Sequence, residues 1–133
     1  MVARLDGMQI PRGTLLIVVD DATAAAACAR VLRVEGYHVV TACGAEAGWR
    51  AFKAGRPDAI LLDLGVRPAD RVSFLRRLRT HQLVRPTPIA VMTTDCFVND
   101  ELDVELDALN AVVCFKPLWL EDVVRVTEQL LRG

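Results

Sequence analysis

The stretch from Pro57 to Leu64 constrains the fold of this chain most strongly. Within it, Ala59-Ile60-Leu61-Leu62 is an apolar run without polar alternation, and Asp63 ends the run. Such a run is typical of a strand buried on both faces in the middle of a parallel sheet. An ionised carboxylate at the end of a buried strand is costly unless something binds it. Ligands of open parallel sheets bind beyond the carboxyl ends of the strands, so Asp63 is a candidate functional residue.

Composition restricts the class of protein. The 133 residues fit one domain, and a formal net charge of -1 gives no reason to expect direct nucleic-acid binding by this chain. The longest apolar runs, 15–19 and 24–29, are too short to span a membrane or to form a signal peptide, so we expect a cytoplasmic protein. The four cysteines form no C-x-x-C pair, and we predict no zinc site.

Apolar periodicity predicts five strand–helix units in strict alternation. The predicted strands are 14–19, 37–43, the run before Asp63, 89–92 and 111–115. The predicted helices are 22–35, 45–54, 70–82, 99–109 and 118–131. The segment 99–109 also alternates like a strand, but its many acidic residues favour a solvated helix. Strict alternation indicates a parallel sheet with helices on both faces. We predict an N-terminal leader over 1–13 and one domain over 14–133.

The predicted strand ends share a set of polar residues. Asp20 and Asp21 follow the first strand, and the third, fourth and fifth strands end at Asp63, Thr93 and Lys116. Parallel strands bring these residues to one edge of the sheet. Two like charges in contact repel by about 4 kcal/mol at an effective dielectric constant of about 20, and one lysine cannot neutralise three carboxylates. A hard divalent cation is therefore expected, and Mg²⁺ fits best because it accepts one or two carboxylates and keeps some water.

The remaining groups suit phosphoryl transfer. Asp63 can act as a carboxylate nucleophile that forms an acyl phosphate. Thr93 can donate a hydrogen bond to a phosphoryl oxygen, and Lys116 can supply a positive point charge. Positioning and charge neutralisation would then provide most of the catalysis.

Four motifs resemble those of the receiver domain of two-component response regulators, including the chemotaxis regulators. They are the Asp20-Asp21 pair, Asp63 in Ile-Leu-Leu-Asp-Leu, Thr93 in Pro-Ile-Ala-Val-Met-Thr, and the Lys116-Pro117 dipeptide. The resemblance covers about residues 14–132. It implies a flavodoxin-like (βα)5 three-layer sandwich, with a doubly wound five-stranded parallel sheet in strand order 2-1-3-4-5.

The resemblance also implies roles for individual residues. Asp63 would be the phosphoacceptor, and a sensor histidine kinase or a phosphotransfer protein would be the donor in a phosphorelay. Asp21 and Asp63 would bind Mg²⁺ directly, Asp20 would bind it through water, and the carbonyl of Gly65 would complete the protein ligands. Thr93 and Lys116 would be the catalytic partners of Asp63.

By the same resemblance, the chain is a regulatory domain rather than an enzyme, and it assists its own phosphorylation and dephosphorylation. The signal would pass to a downstream protein or output domain, with the receiver a monomer or weak homodimer. Because the chain ends two residues after the last predicted helix, we expect either a single-domain regulator or an output domain outside this sequence.

Several positions depart from the family pattern, among them Pro68, which stands one position later than the usual loop proline. Arg71 replaces the usual glycine early in the third helix, Thr94 replaces a common alanine after the switch threonine, and Val113 replaces the strand-five aromatic residue. By the resemblance, Thr93, Thr94 and Val113 would belong to the switch that reads out phosphorylation. Because valine cannot make the aromatic rotamer change, a second hypothesis is a receiver-like interaction module that acts without phosphorylation.

Two other classes are disfavoured. An aspartate-nucleophile phosphatase needs an Asp-x-Asp motif, which Asp20-Asp21-Ala22 does not provide. A flavin-binding module needs a phosphate loop rich in Ser, Thr and Gly after the first strand, and none follows it. The basic third helix and the acidic fourth helix would be neighbours in this fold, where we expect exposed ion pairs between them.

Overall fold

The computed structural model describes residues 3–5, 8–10, 12–63, 68–81, 86–93, 111–115 and 120–132. The strands are β1 (Ala3–Leu5), β2 (Met8–Ile10), β3 (Thr14–Val19), β4 (His38–Cys43), β5 (Ala59–Asp63), β6 (Ile89–Thr93) and β7 (Ala111–Phe115). The helices are α1 (Ala22–Val34), α2 (Ala45–Gly55), α3 (Pro68–His81) and α4 (Leu120–Arg132). Helix α4 corresponds to the fifth predicted helix, and the predicted helix over 99–109 lies outside the described residues.

The main sheet contains five parallel strands in the order β4-β3-β5-β6-β7. Counted along the chain from β3, this is the order 2-1-3-4-5, and the fold prediction is confirmed. Strand β5 lies at the centre of the sheet, as its uninterrupted apolar run predicted. In the described part of the chain, no helix combines the length and apolarity that crossing a membrane requires.

Alternate residues of the central strands supply two separate cores. Leu15 and Ile17 of β3 pack with α1 and α4 on one face, whereas Leu16 and Val18 pack with α2 and α3 on the other. Leu61 of β5 likewise faces the first core, and its neighbours in the strand face the second. The strands are apolar throughout because each of their faces is covered by a helix layer.

The second helix ends differently from its prediction. The prediction ends this helix at residue 54, before Gly55, but Gly55 is the last helical residue, and Arg56 takes the left-handed conformation with φ 43°. The backbone N–H of Arg56 donates to the carbonyl of Phe52 at 3.0 Å and closes the last turn. A side chain in this conformation costs about 1–2 kcal/mol relative to glycine. The chain therefore has a non-glycine residue where helix termination favours glycine.

The predicted leader contains regular structure. Strands β1 and β2 pair antiparallel, with Arg4 opposite Gln9. Each has three residues, which is shorter than the window in which alternation can be recognised. Arg12, which follows this hairpin, donates its backbone N–H to the carbonyl of Gly36 at 2.9 Å. The division of the chain at residue 13 stays a prediction.

Arg12 also joins three parts of the fold. Its guanidinium lies 3.9 Å from carboxylate oxygens of both Glu35 and Glu128. It also lies 4.7 Å from the ring centroid of Tyr37. Burial raises the pKa of the Tyr37 phenol, and the positive charge of Arg12 opposes that shift.

Two arginines in the second half of α3 have partners elsewhere in the fold. Arg77 pairs with Glu46 of α2 at 2.9 Å, and its guanidinium lies 4.3 Å from the ring centroid of Trp49. Arg79 donates to the carbonyl of Thr87 at 2.8 Å, and burial lowers the pKa of its guanidinium. Pairing between α3 and 99–109 stays a prediction because that segment lies outside the described residues.

A mutation in α2 tests the close approach of this helix to the sheet. A Cβ atom on Gly48 would lie 2.7 Å and 2.9 Å from the two methyl carbons of Val18, and 3.3 Å from a ring carbon of Phe74. We expect Gly48→Ala to lower the free energy of unfolding by about 1–2 kcal/mol, because overpacking outweighs the gain in helix propensity. Urea denaturation measures this difference.

Gly55→Ala is the matched control on the same helix. No heavy atom lies within 4 Å of a Cβ built on Gly55. We expect its free energy of unfolding to stay within about 0.5 kcal/mol of the wild-type value. Equal stability of the two variants would show that α2 does not approach β3 as closely as described.

Candidate functional site

Backbone register places three predicted site residues at one edge of the sheet. Val19, the last residue of β3, is the register partner of Asp63 at the end of β5. Asp20 follows Val19 directly, so the turn after β3 begins beside Asp63. On the other side of β5, Leu62 pairs with Val91, and β6 continues from there to Thr93. The carboxyl ends of β3, β5 and β6 therefore meet, as the prediction required.

Asp21 has a defined structural role at the start of α1. It is the N-cap residue, and its Oδ1 accepts a hydrogen bond from the backbone N–H of Thr23 at 2.9 Å. Its own carbonyl accepts from the N–H of Ala25 at 3.3 Å. The cap fixes the carboxylate against the helix N-terminus, whose partial positive charge stabilises it. Asp21 is predicted from the sequence as a metal ligand, and its capping role was not predicted.

Asp20 and Asp63 differ in their exposure to solvent. Asp20 is exposed on the turn, whereas Asp63 is half-buried and follows four fully buried residues of β5. Strand β5 thus holds the Asp63 backbone in the sheet, and the residue stays partly accessible to solvent. A carboxylate that is positioned but still accessible is suited to react with a bound molecule.

Gly44 is a further residue at this edge, and it was not predicted as part of the site. Its N–H donates to the carbonyl of Val19 at 2.8 Å, and its φ is 87°. Its backbone conformation favours glycine. The bond ties the end of β4 to the end of β3, next to the Asp20-Asp21 turn. A glycine after an apolar strand was the available sequence signal.

The other predicted site residues are described in part or not at all. For Thr93 and Val113 only the backbone is described: Thr93 ends β6, and Val113 lies in the middle of β7 opposite Val91. Gly65, Thr94 and Lys116 lie outside the described residues. Their roles stay predictions.

Comparison with known proteins identifies the family. The sequence model of the response regulator receiver domain matches residues 15–124 of the chain. This chain belongs to the response regulator receiver family. Phosphorylation-based switching is the general function of this family, and its members are phospho-accepting regulatory domains that act with histidine kinases and output domains.

The curated relatives are named transcriptional regulatory proteins. The chain is 33% identical over 127 residues to the transcriptional regulatory protein PrrA of Mycobacterium tuberculosis, covering 95% of this chain and 52% of PrrA. It is 35% identical over 92 residues to the transcriptional regulatory protein AfsQ1 of Streptomyces coelicolor, covering 68% of this chain and 38% of AfsQ1. This chain thus spans about half the length of PrrA and less than half the length of AfsQ1.

Solved structures share the fold. The chemotaxis response regulator CheY4 of Vibrio cholerae superposes with a TM-score of 0.76 at 24% identity, covering 89% of this chain and 98% of that one. The N-terminal domain of a response regulator receiver protein from Methanoculleus marisnigri gives a TM-score of 0.69 at 25% identity, covering 92% and 98% of the two chains.

Receiver domains generally bind Mg²⁺, and the described carboxylates are of the right chemical type. Mg²⁺ prefers hard oxygen ligands, accepts one or two protein carboxylates and retains several waters. Asp20, Asp21 and Asp63 supply only carboxylate oxygens at one edge, and Asp20 and Asp21 are exposed. Among the described residues no group of three His, Cys, Asp or Glu side chains is arranged to hold a metal. A site with two carboxylates and water does not require such a group.

Proposed function

We propose that this receiver domain accepts a phosphoryl group on Asp63 and thereby operates as a signalling switch. The observation that carries the proposal is the register between Val19 and Asp63, because it sets the only polar residue of β5 beside the Asp20-Asp21 turn. The reaction forms a bond between a carboxylate oxygen of Asp63 and phosphorus. The bond between phosphorus and the donor's leaving atom breaks, and the leaving group keeps the electron pair.

The neighbouring carboxylates would position the reaction through Mg²⁺. We propose that Asp21 and Asp63 bind the ion directly, that Asp20 binds it through water, and that the Gly65 carbonyl completes the protein ligands. The ion would supply charge neutralisation for the transferred group. Asp21 is suited to this role because its cap to Thr23 uses Oδ1. A carboxylate has lone pairs on both oxygens that can accept further partners.

Thr93 and Lys116 are the proposed partners of the phosphoryl oxygens. The added group carries about -1.5 to -2 charges at neutral pH. The Lys116 ammonium would offset part of this charge, and the Thr93 hydroxyl would donate a hydrogen bond. Their movement toward the phosphoryl group would bias the segments after β6 and β7, which a partner then reads.

The same proposal covers partners and location. The donor would be a sensor histidine kinase or a phosphotransfer protein, and the recipient would be a downstream protein or output domain. The domain would act as a monomer or weak homodimer without direct nucleic-acid binding. We place it in the cytoplasm, where ATP-dependent kinases work. It would assist its own phosphorylation and dephosphorylation without turning over another substrate.

A second candidate is an interaction module that works without phosphorylation. It is favoured by Val113, which occupies the middle of β7 where the family usually has an aromatic side chain. Valine has no ring to rotate, so a readout of phosphorylation could not use aromatic rotation. It would have to use the backbone around Thr93 and Thr94. The two candidates differ in whether Asp63 is modified at all.

Incubation with Mg²⁺ and acetyl phosphate separates the two candidates. We expect the intact mass of the protein to rise by one phosphoryl group, because the Asp63 carboxylate can attack this small donor directly. Asp63→Asn should abolish the gain, since an amide is not a comparable nucleophile. Chelation of Mg²⁺ should also abolish it. A protein that binds Mg²⁺ but gains no phosphoryl group would support the interaction module instead.

Two substitutions of Asp21 separate helix capping from metal binding. Asp21→Asn keeps a side-chain oxygen for the Thr23 N–H, so its free energy of unfolding without metal should stay within about 0.5 kcal/mol of wild type. Asp21→Ala should lose about 1 kcal/mol. Both should weaken Mg²⁺ binding by about tenfold or more, because ligand charge sets the affinity for this hard cation. Denaturation and calorimetric titration measure the two effects.

Unchanged Mg²⁺ affinity in Asp21→Asn would restrict this residue to capping and would contradict its proposed place among the metal ligands.

A further inference from the structure

A cleft of about 470 Å³ lies at the end of the sheet opposite the phosphorylation edge. The described residues that line this basic cleft are Phe52, Lys53, Arg56, Pro57 and His81. They come from the last turn of α2, the connection to β5 and the end of α3. Its volume falls within the range of about 300–1,000 Å³ that small-molecule sites occupy. The site does not depend on the proposed chemistry of Asp63.

The cleft combines positive charge with an aromatic wall. Three of its five described lining residues are basic and none is acidic. The imidazole plane of His81 is nearly perpendicular to Phe52, at 79°, with the ring centroids 6.1 Å apart. The His81 ring meets Trp49 in the same way, at 82° and 5.5 Å, so it is packed against two neighbouring rings. Phe52 is buried, so it is the exposed His81 ring, held against the other two rings, that can contact a planar ring, while the cations attract an anionic group.

The C-termini of two helices explain two of the three basic residues in the cleft. The C-terminal carbonyls of a helix favour cations, which accounts for Lys53 and His81 in the last turns of α2 and α3. Arg56 is different because it lies beyond α2 in the left-handed conformation that favours glycine. Within the described part of the chain, its guanidinium has no hydrogen-bond or ion-pair partner. Strained residues of this kind cluster at ligand sites.

We propose that the basic cleft binds a small planar ring that carries an anionic group, either a phosphate or a carboxylate. The guanidinium of Arg56 and the ammonium of Lys53 contact the anion, and the ring packs beside His81. The planar guanidinium of Arg56 can donate paired hydrogen bonds to the oxygens of either a phosphate or a carboxylate. Bound ligand lies one strand length, about 17 Å, from the Asp63 edge, so it does not compete with phosphorylation.

The test uses two probes with the full chain, adenosine 5′-monophosphate for the phosphate and 4-hydroxybenzoate for the carboxylate. Chelator replaces Mg²⁺, so that the Asp63 edge does not attract the anions. Amide chemical shifts locate binding and give Kd. We expect at least one probe to bind with a Kd below about 1 mM and to shift residues around Phe52 and His81. If only one probe binds, it identifies the anion, and if both bind, the cleft accepts either anion.

Variants decide whether the named side chains form the site. Arg56→Gly and Lys53→Gln should each raise Kd by about fivefold or more, since each removes a charged contact. Glycine suits the Arg56 backbone, so this variant keeps the fold, which thermal unfolding verifies. Arg50→Ala, an exposed arginine on the same helix outside the cleft, and Asp63→Asn should leave Kd unchanged.

Three results would overturn the proposal. They are failure of both probes to shift the cleft residues, Kd values unaffected by Arg56→Gly and Lys53→Gln, and binding of inorganic phosphate as tight as that of adenosine 5′-monophosphate. The last would leave the ring without a role. Kd for the bound probe should also rise in His81→Ala, while Kd for inorganic phosphate stays the same.

Discussion

The burial of β5 on both faces is the constraint on which the rest of the structure depends. Ile60, Leu61 and Leu62 are each at most 1% exposed, and each side chain contributes about 1.5–3 kcal/mol by its removal from water. This burial requires helices on both sides of the sheet and fixes β5 at its centre. The first polar residue that the strand can carry is therefore at its end. The position of Asp63 at the sheet edge is fixed because the four residues before it in β5 are buried in the core.

The Asp20-Asp21 turn, which neighbours Asp63, is held in place by hydrogen bonds on both sides. The Asp21 cap joins the turn to α1, and the bond from Gly44 to the carbonyl of Val19 joins β4 to the end of β3. Packing of Gly48 against Val18 holds α2 close to the same strand. The carboxylates thus sit on short connections between rigid elements, which suits catalysis by positioning. Under the proposed function, phosphorylation would add charge at this edge, and with Val113 in β7 the response would have to spread without an aromatic side chain.

Sequence patterns predicted the long strands and helices, but they did not predict several local interactions of single residues. The apolar runs of β3 and β5 and the helical periods predicted the alternation of strands and helices and placed Asp63 at a strand end, because burial acts on many residues together. The order of the strands came from the resemblance to the receiver family. The β1–β2 hairpin was not predicted because three-residue strands carry too little alternation. Pairing of Arg77 with Glu46 depends on how α2 and α3 pack, which charge alone does not specify. The left-handed residue that ends α2 is Arg56, although helix termination favours a glycine and Gly55 directly precedes it.

A crystal structure with Mg²⁺ and beryllium fluoride, an analogue of a phosphoryl group, tests the central claim most directly. The account predicts beryllium bonded to a carboxylate oxygen of Asp63, with Mg²⁺ contacting Asp21 and Asp63. It also predicts Lys116 and Thr93 in contact with the fluorine atoms. Beryllium fluoride bound to another residue, or a Lys116 side chain remote from Asp63 in the occupied site, would contradict it.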